Sequence, residues 1–95
     1  MIRFRDEAVV ELNEAIDWYL ERSINAAEKF KNSLASAIEK IDIDPKRFSV
    51  IHLDFRYVRI FGFPYIVVYQ ERSDHVMILA VAHTRRRERY WLERG

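Results

Sequence analysis

The chain has 95 residues, 49% of them hydrophobic and 33% charged, which fits a single globular domain over residues 1–95. It contains no cysteine, and this excludes disulfide scaffolds, thiolate zinc sites and cysteine nucleophiles. No apolar run reaches the roughly 18–20 residues that cross a membrane, and the N-terminus lacks the apolar core of a signal peptide. We therefore expect a cytoplasmic protein without a membrane partner, with a core too small for a large cofactor.

Charge is divided unevenly along the chain, although the net charge is only +1. Residues 1–44 contain six Lys or Arg against ten Asp or Glu, whereas residues 45–95 contain ten against five. An anionic partner is attracted most strongly to the last eleven residues, which contain five arginines: Arg85, Arg86, Arg87, Arg89 and Arg94. The C-terminal end is therefore the first candidate for a functional site.

The N-terminal part predicts a short strand and a helix. Residues 2–5 alternate apolar and basic side chains, as a half-buried strand does, and Asp6 is placed to cap a helix over about residues 7–22. Apolar side chains recur in that helix at steps of three and four residues: Val9, Leu12, Ile16 and Tyr19. The acids of this helix are expected to form a solvated face, the alternative being a functional acidic patch: Glu7, Glu11, Glu14, Asp17 and Glu21.

A second helix follows a break at residues 23–25. Its apolar positions again recur at steps of three and four residues, and the pattern ends before Asp44-Pro45: Ala27, Phe30, Leu34, Ile38 and Ile41. Two amphipathic helices joined by a short turn predict an antiparallel helical hairpin.

Beyond residue 50 the pattern changes to strands. Runs rich in Val, Ile, Phe and Tyr cover residues 56–61, 65–69 and 76–83, and turn-like residues separate them. The last run is apolar on both faces, which is typical of the centre of a sheet. The sequence therefore predicts an α+β domain in the order β-α-α-β-β-β, with a three-stranded antiparallel meander covered on one face by the helical hairpin. The other face remains available, together with a basic, aromatic C-terminal tail over residues 84–95.

The sequence contains no glycine-rich phosphate loop, no histidine pair at metal-ligand spacing and no glycine-flanked serine elbow. His52, His75 and His83 are far apart in the sequence, so we expect no metal site. We expect His75 to be exposed in a hairpin turn. His83 ends the last strand, where it could bond the backbone of the tail, transfer a proton or contact a partner.

The tail interleaves arginines with Tyr90 and Trp91, a composition that suits phosphates and stacked bases and equally suits an acidic protein partner. The alternative is a solubilising tail whose Trp91 packs onto the sheet. Arg56 and Arg59 could enlarge the positive surface, but an offset of three places them on opposite faces of a regular strand, so at most one joins it.

Several segments together resemble the ParE branch of the RelE/ParE superfamily, the plasmid-stabilisation toxins of type II toxin–antitoxin systems. Residues 14–19 (EAIDWY) resemble the end of that family's first helix, and residues 63–69 (FPYIVVY) resemble one of its strands. Residues 80–86 (AVAHTRR) resemble its C-terminal motif, which Tyr90-Trp91 and Arg94 follow. The order and spacing of these segments extend the resemblance over essentially the whole chain.

The resemblance implies a bacterial toxin that a cognate antitoxin neutralises, and the superfamily has two activities. ParE-like members poison DNA gyrase, whereas RelE-like members are ribosome-dependent mRNA endonucleases. Ile66 stands where the nucleases have an arginine after a tyrosine, which favours a gyrase inhibitor without chemistry of its own. The alternatives are a metal-independent endoribonuclease that uses His83, Arg86 and Tyr90 on ribosome-bound mRNA, and an inactive antitoxin-binding module.

For the favoured interpretation, we expect no catalytic residues, no cofactor and no metal. The residues expected to bind the target or partner are Arg56, Arg59, His83, Arg85, Arg86, Arg87, Arg89, Tyr90 and Trp91.

Overall fold

The computed structural model describes residues 1–87 and 89–95, and these form an α+β domain as the sequence predicts. A short 3-10 helix, Leu92–Arg94, ends the chain. Two helices and five strands precede it, in the order β1 (Ile2–Phe4), α1 (Asp6–Leu20), α2 (Ile24–Ile43), β2 (Val50–His52), β3 (Phe55–Arg59), β4 (Tyr65–Glu71) and β5 (Val76–His83).

Helix α1 differs from the prediction in its first residue and in its buried face. The N-cap is Arg5, without a side-chain bond, and Asp6 is the first helical residue, so the prediction that Asp6 caps the helix is wrong. Val9 is 40% exposed, because the side of the helix against the sheet is centred on Ala8, Glu11 and Ala15. Of the expected apolar stripe, Val9 is therefore wrong, whereas Leu12, Ile16 and Tyr19 pack against the core as predicted.

The helical hairpin is confirmed. The Ser23 side chain accepts a hydrogen bond from the Ala26 backbone N–H at 3.2 Å, which caps α2. Helix α2 ends at Ile43, just before Pro45, and Tyr19 of α1 stacks on Phe30 of α2 at 5.2 Å between ring centroids.

The five strands form one sheet in the order β1-β5-β4-β3-β2. The antiparallel meander β3-β4-β5 is confirmed, while β2 is a strand that the sequence analysis missed, because it has only three residues and pairs irregularly with β3. Strand β1 pairs in parallel with β5. Strand β5 thus has neighbours on both sides, but β4 and not β5 is the central strand.

Each face of the sheet has its own apolar cluster. The helical hairpin covers one face, where Phe30, Ile41, Val67 and Ile78 are buried. On the other face, Phe55, Val68 and Leu79 pack with Trp91 of the tail. The tail therefore covers part of the face that the sequence analysis left open.

A β-bulge lies in β5. Val68 pairs with Ala80 and Tyr69 pairs with Ile78, which leaves Leu79 as the extra residue.

In the described part of the chain, no helix is long and apolar enough to cross a membrane.

Candidate functional site at the C-terminal tail

The tail is attached to the sheet by Trp91. Its side chain is 2% exposed, and its ring lies 5.9 Å from that of Phe55. The hypothesis that Trp91 packs onto the sheet is therefore confirmed. Because Tyr90 and Leu92 pack against the same cluster, the residues on both sides of Trp91 are held in place.

A buried carboxylate organises the tail from the opposite end of the sequence. Glu11 of α1 is 8% exposed, so the prediction that it belongs to a solvated face is wrong. Its Oε1 accepts hydrogen bonds from the Val81 backbone N–H at 3.0 Å and from Arg94 Nη1 at 2.9 Å. Its Oε2 accepts from Arg86 Nη1 at 3.1 Å and from the Tyr90 hydroxyl at 2.5 Å. Four donors thus compensate the cost of burying this charge.

The position of Glu11 follows from the end of strand β1. The pairing of β1 with β5 ends at Phe4 and Ile78, so no strand among the described residues pairs with that edge of β5 beyond the bulge. There Glu11 accepts from Val81, and Arg94 Nη1 donates to the Leu79 carbonyl at 3.1 Å. The two side chains replace a neighbouring strand by satisfying buried backbone groups.

Tyr90 is enclosed by charged groups. The Arg86 guanidinium lies 3.7 Å from the centroid of the Tyr90 ring, and that of Arg94 lies 5.0 Å away. Burial, followed by the hydrogen bond to Glu11 and the negative charge of Glu11, raises the pKa of Tyr90 well above its usual range. The phenol therefore keeps its proton at neutral pH and donates a hydrogen bond to Glu11.

A cleft of about 250 Å³ lies between the tail and the sheet, and we call it the tail cleft. Its apolar lining comes from Ile51, Ile66, Ala82 and Trp91. Its polar lining comes from His83, Thr84, Arg86, Arg87, Arg89 and Tyr90. Six of the nine residues predicted for partner binding are therefore brought together: His83, Arg86, Arg87, Arg89, Tyr90 and Trp91.

The other three predicted residues lie outside the cleft lining. Arg85 is exposed nearby. Arg56 donates a hydrogen bond from Nη1 to the Phe48 carbonyl at 2.6 Å, so it holds the segment before β2. Arg59 lines a different groove beside α2. Neither Arg56 nor Arg59 lines the tail cleft. This agrees with the expectation that at most one of them joins the positive surface.

His83 and His75 occupy different environments. His83 Nδ1 accepts a hydrogen bond from the Arg85 backbone N–H at 3.0 Å, which confirms the hypothesis that His83 bonds the tail backbone. The prediction that His75 is exposed is wrong, because its side chain is only 11% exposed and lies 2.6 Å from Asp74. That hydrogen bond lowers the pKa of Asp74. Among the described residues, no group of three or more His, Asp or Glu side chains is placed to hold a metal ion.

The sequence analysis missed Glu11, although a sign of its burial was present. Glu11 lies three residues after Ala8 and four before Ala15, so it shares a helix face with two small residues. The sequence placed Arg94 among the cations of the basic tail. Its side chain is only 14% exposed, however, and it forms an ion pair with Glu11. An acid on a stripe of small apolar residues, in a chain with a distant arginine cluster, is the pattern that predicts such a pair.

The family model described as ParE toxin of the type II toxin–antitoxin system parDE matches residues 2–88. Among solved structures, a chain of the chromosomal ParDE TA system from P. aeruginosa is similar, with a TM-score of 0.62 and 12% sequence identity. The similarity covers 86% of this chain and 92% of that chain, and at this identity it concerns the fold alone. A search of curated proteins finds no match.

Proposed function

Because the chain belongs to the ParE toxin family of type II toxin–antitoxin systems, we propose that it inhibits bacterial growth by binding DNA gyrase through the tail cleft. A cognate antitoxin, the partner that the family implies, neutralises it by covering the toxin surface. The gyrase target rests on the ParE-like resemblance, and the contacts of Glu11 support a binding surface over a catalytic one.

The observation that supports binding without catalysis is that Glu11 engages two of the three nuclease candidates. Cleavage of RNA without a metal needs a group that removes the proton of the 2′-hydroxyl and a group that protonates the leaving oxygen. Arginine side chains do not deprotonate in proteins, so they do not act as bases. Arg86 is in addition paired with Glu11. Tyr90 donates to the same carboxylate, and its raised pKa opposes loss of its proton. That leaves His83, whose Nδ1 accepts a hydrogen bond from the Arg85 backbone N–H, as the one candidate of the three outside the contacts of Glu11.

The tail cleft has the features of a protein-binding surface. Arg87 and Arg89 are exposed and supply cations, while the half-buried Ile51 and Ile66 supply apolar surface above the buried Trp91. Apolar anchors give affinity, and surrounding charges steer the encounter and select the partner. Arg89 has a φ of 61°, in the left-handed region that favours glycine, so an Arg89→Gly variant removes its charge without adding backbone strain.

The test compares gyrase supercoiling and ribosome-bound mRNA cleavage by the same purified protein. We expect the wild type to block supercoiling or trap cleaved DNA, and to leave mRNA intact at the same concentration. The double variant Arg87→Gln/Arg89→Gly should weaken inhibition at least about tenfold, because it removes two steering charges from the cleft. The control Lys29→Gln/Arg47→Gln removes two exposed charges elsewhere, and it should inhibit gyrase like the wild type.

Two results would contradict the proposal. Codon-positioned mRNA cleavage that is lost in Tyr90→Phe would establish the endoribonuclease alternative, with His83, Arg86 and Tyr90 as its residues. The second result is that expression of the chain leaves growth unaffected although the chain binds the antitoxin. That result would identify an inactive antitoxin-binding module.

A further inference from the structure

Resting on the function proposed above, we infer that Glu11 is a positioning residue for the tail cleft. From helix α1, it fixes the orientation of the Arg86 guanidinium, which lines the cleft. Glu11 itself is 8% exposed, so it would act through Arg86 and not by touching the target.

Two contacts hold Arg86 in one orientation, and a third fixes the ring that one of them uses. Its Nη1 donates to Glu11 Oε2 at 3.1 Å, and its guanidinium lies 3.7 Å from the centroid of the Tyr90 ring. The Tyr90 hydroxyl donates to the same Oε2 at 2.5 Å, so the ring under Arg86 is fixed by the same carboxylate. The Arg86 side chain is nevertheless 52% exposed, and part of it faces the cleft. An arginine ordered before the target arrives loses less conformational freedom on binding.

The two oxygens of Glu11 serve different parts of the structure. Oε1 accepts from Val81 and Arg94, which close the edge of β5, whereas Oε2 accepts from Arg86 and Tyr90 beside the cleft. A Glu11→Gln side chain can place its amide oxygen at the Oε1 position and keep the first pair of contacts. Its NH2 group then occupies the Oε2 position. The Tyr90 hydroxyl can turn to accept from that NH2 group, but Arg86 has no acceptor, so this substitution releases Arg86 selectively.

The orientation of Arg86 has a spectroscopic signature that global stability does not affect. The ring current of Tyr90 should shift the NMR resonances of the Arg86 side-chain protons upfield in the wild type. In Glu11→Gln these resonances should move to the positions of a freely rotating arginine. The matched control is Glu14→Gln, an exposed acid one turn later in the same helix, and it should leave them unchanged.

The activity measurement is gyrase supercoiling with the same three proteins. Glu11→Gln should weaken inhibition at least about tenfold, the effect of losing one well-placed charge-assisted hydrogen bond, while Glu14→Gln inhibits like the wild type. If Glu11→Gln does not fold, Arg86→Lys replaces it, because that variant leaves the Oε1 contacts intact. A lysine retains the charge but has no planar guanidinium to stack on Tyr90, so the same loss of inhibition is expected.

Three results would overturn the inference. The first is an Arg86 signature that persists in Glu11→Gln. The second is full inhibition by Glu11→Gln despite a lost signature, and the third is full inhibition by Arg86→Lys. The NMR measurement needs no gyrase. If the wild type leaves supercoiling unchanged, the proposed target is wrong, and the resonances still decide whether Glu11 orients Arg86.

Discussion

Tyr69 and Tyr90 are both tyrosines whose hydroxyl groups bond to oxygens of distant segments. Tyr90 donates to Glu11, and Tyr69 donates to the Pro45 carbonyl at 2.7 Å, so each joins parts of the chain that are far apart in sequence. Burial raises the pKa of Tyr69 to about 12. Both phenols are therefore protonated hydrogen-bond donors throughout the physiological pH range.

The raised pKa of Tyr69 predicts a pH-dependent effect of Tyr69→Phe. In the unfolded chain, a tyrosine loses its proton near pH 10, whereas Tyr69 in the folded state keeps its proton until about pH 12. The stabilisation is complete below pH 10 and is lost as the pH rises toward 12. Tyr69→Phe should therefore be less stable than the wild type at pH 8, and the difference should narrow at pH 11. Urea unfolding at pH 8 and at pH 11 measures the difference in unfolding free energy between the two proteins. A difference that is the same at both pH values would contradict the assigned pKa.

At the scale of elements, the tail depends on tertiary contacts for its position. In the described residues of the tail, the regular structure is the three-residue 3-10 helix, which is too short to be stable alone. The burial of Trp91 and the contacts of Arg86, Tyr90 and Arg94 with Glu11 hold it against the sheet. Arg85, Arg86 and Arg87 therefore have different roles in the structure. Arg86 is paired with a buried carboxylate, whereas Arg85 and Arg87 are exposed.

Truncation of Trp91 should release the tail. We expect Trp91→Ala to lower the free energy of unfolding by about 3–5 kcal/mol, the usual cost of removing a buried aromatic side chain. Trypsin should then cleave at the tail arginines faster than in the wild type. The control is Trp18→Ala on α1, where the side chain is 49% exposed and the loss should be much smaller. Equal losses from the two variants would mean that Trp91 does not anchor the tail.

On the scale of the whole molecule, charge is segregated between the two layers. The helical hairpin lies in the part of the chain with excess acids, while the sheet from β2 onward and the tail lie in the part with excess cations. A nearly neutral protein can therefore present a positive surface to an acidic partner. The exposed arginines Arg85, Arg87 and Arg89 contribute to that surface.

This segregation predicts a salt-dependent association with the antitoxin. The partner for the measurement is the protein encoded beside this chain, provided that its coexpression restores growth. The association rate should fall at least about tenfold between 50 and 500 mM salt, because salt screens electrostatic steering. Arg85→Gln/Arg87→Gln should reduce that dependence, and Lys29→Gln/Arg47→Gln should preserve it. A rate independent of salt would exclude steering by the tail.

The sequence by itself determined the order of β1, the helical hairpin and the three meander strands, and the position of the basic, aromatic tail, but not β2. These features follow from local periodicity, turn residues and composition, which act over fewer than about 20 residues. Two structural roles were also predicted correctly, the packing of Trp91 on the sheet and the hydrogen bond of His83 to the tail backbone. A large aromatic ring and a strand-end imidazole have few stable environments next to an apolar sheet.

Only the tertiary structure decided that Glu11 is buried, that β1 lies beside β5 and that His75 is shielded. The four donors to Glu11 are 70, 75, 79 and 83 residues away in sequence, so helical periodicity contains no information about them. A glutamate on a helix is ordinarily solvated, since burying its charge is costly without partners. Folding the tail across the open edge of β5 supplies those partners, and this long-range contact converts an apparent surface acid into the centre of the candidate site.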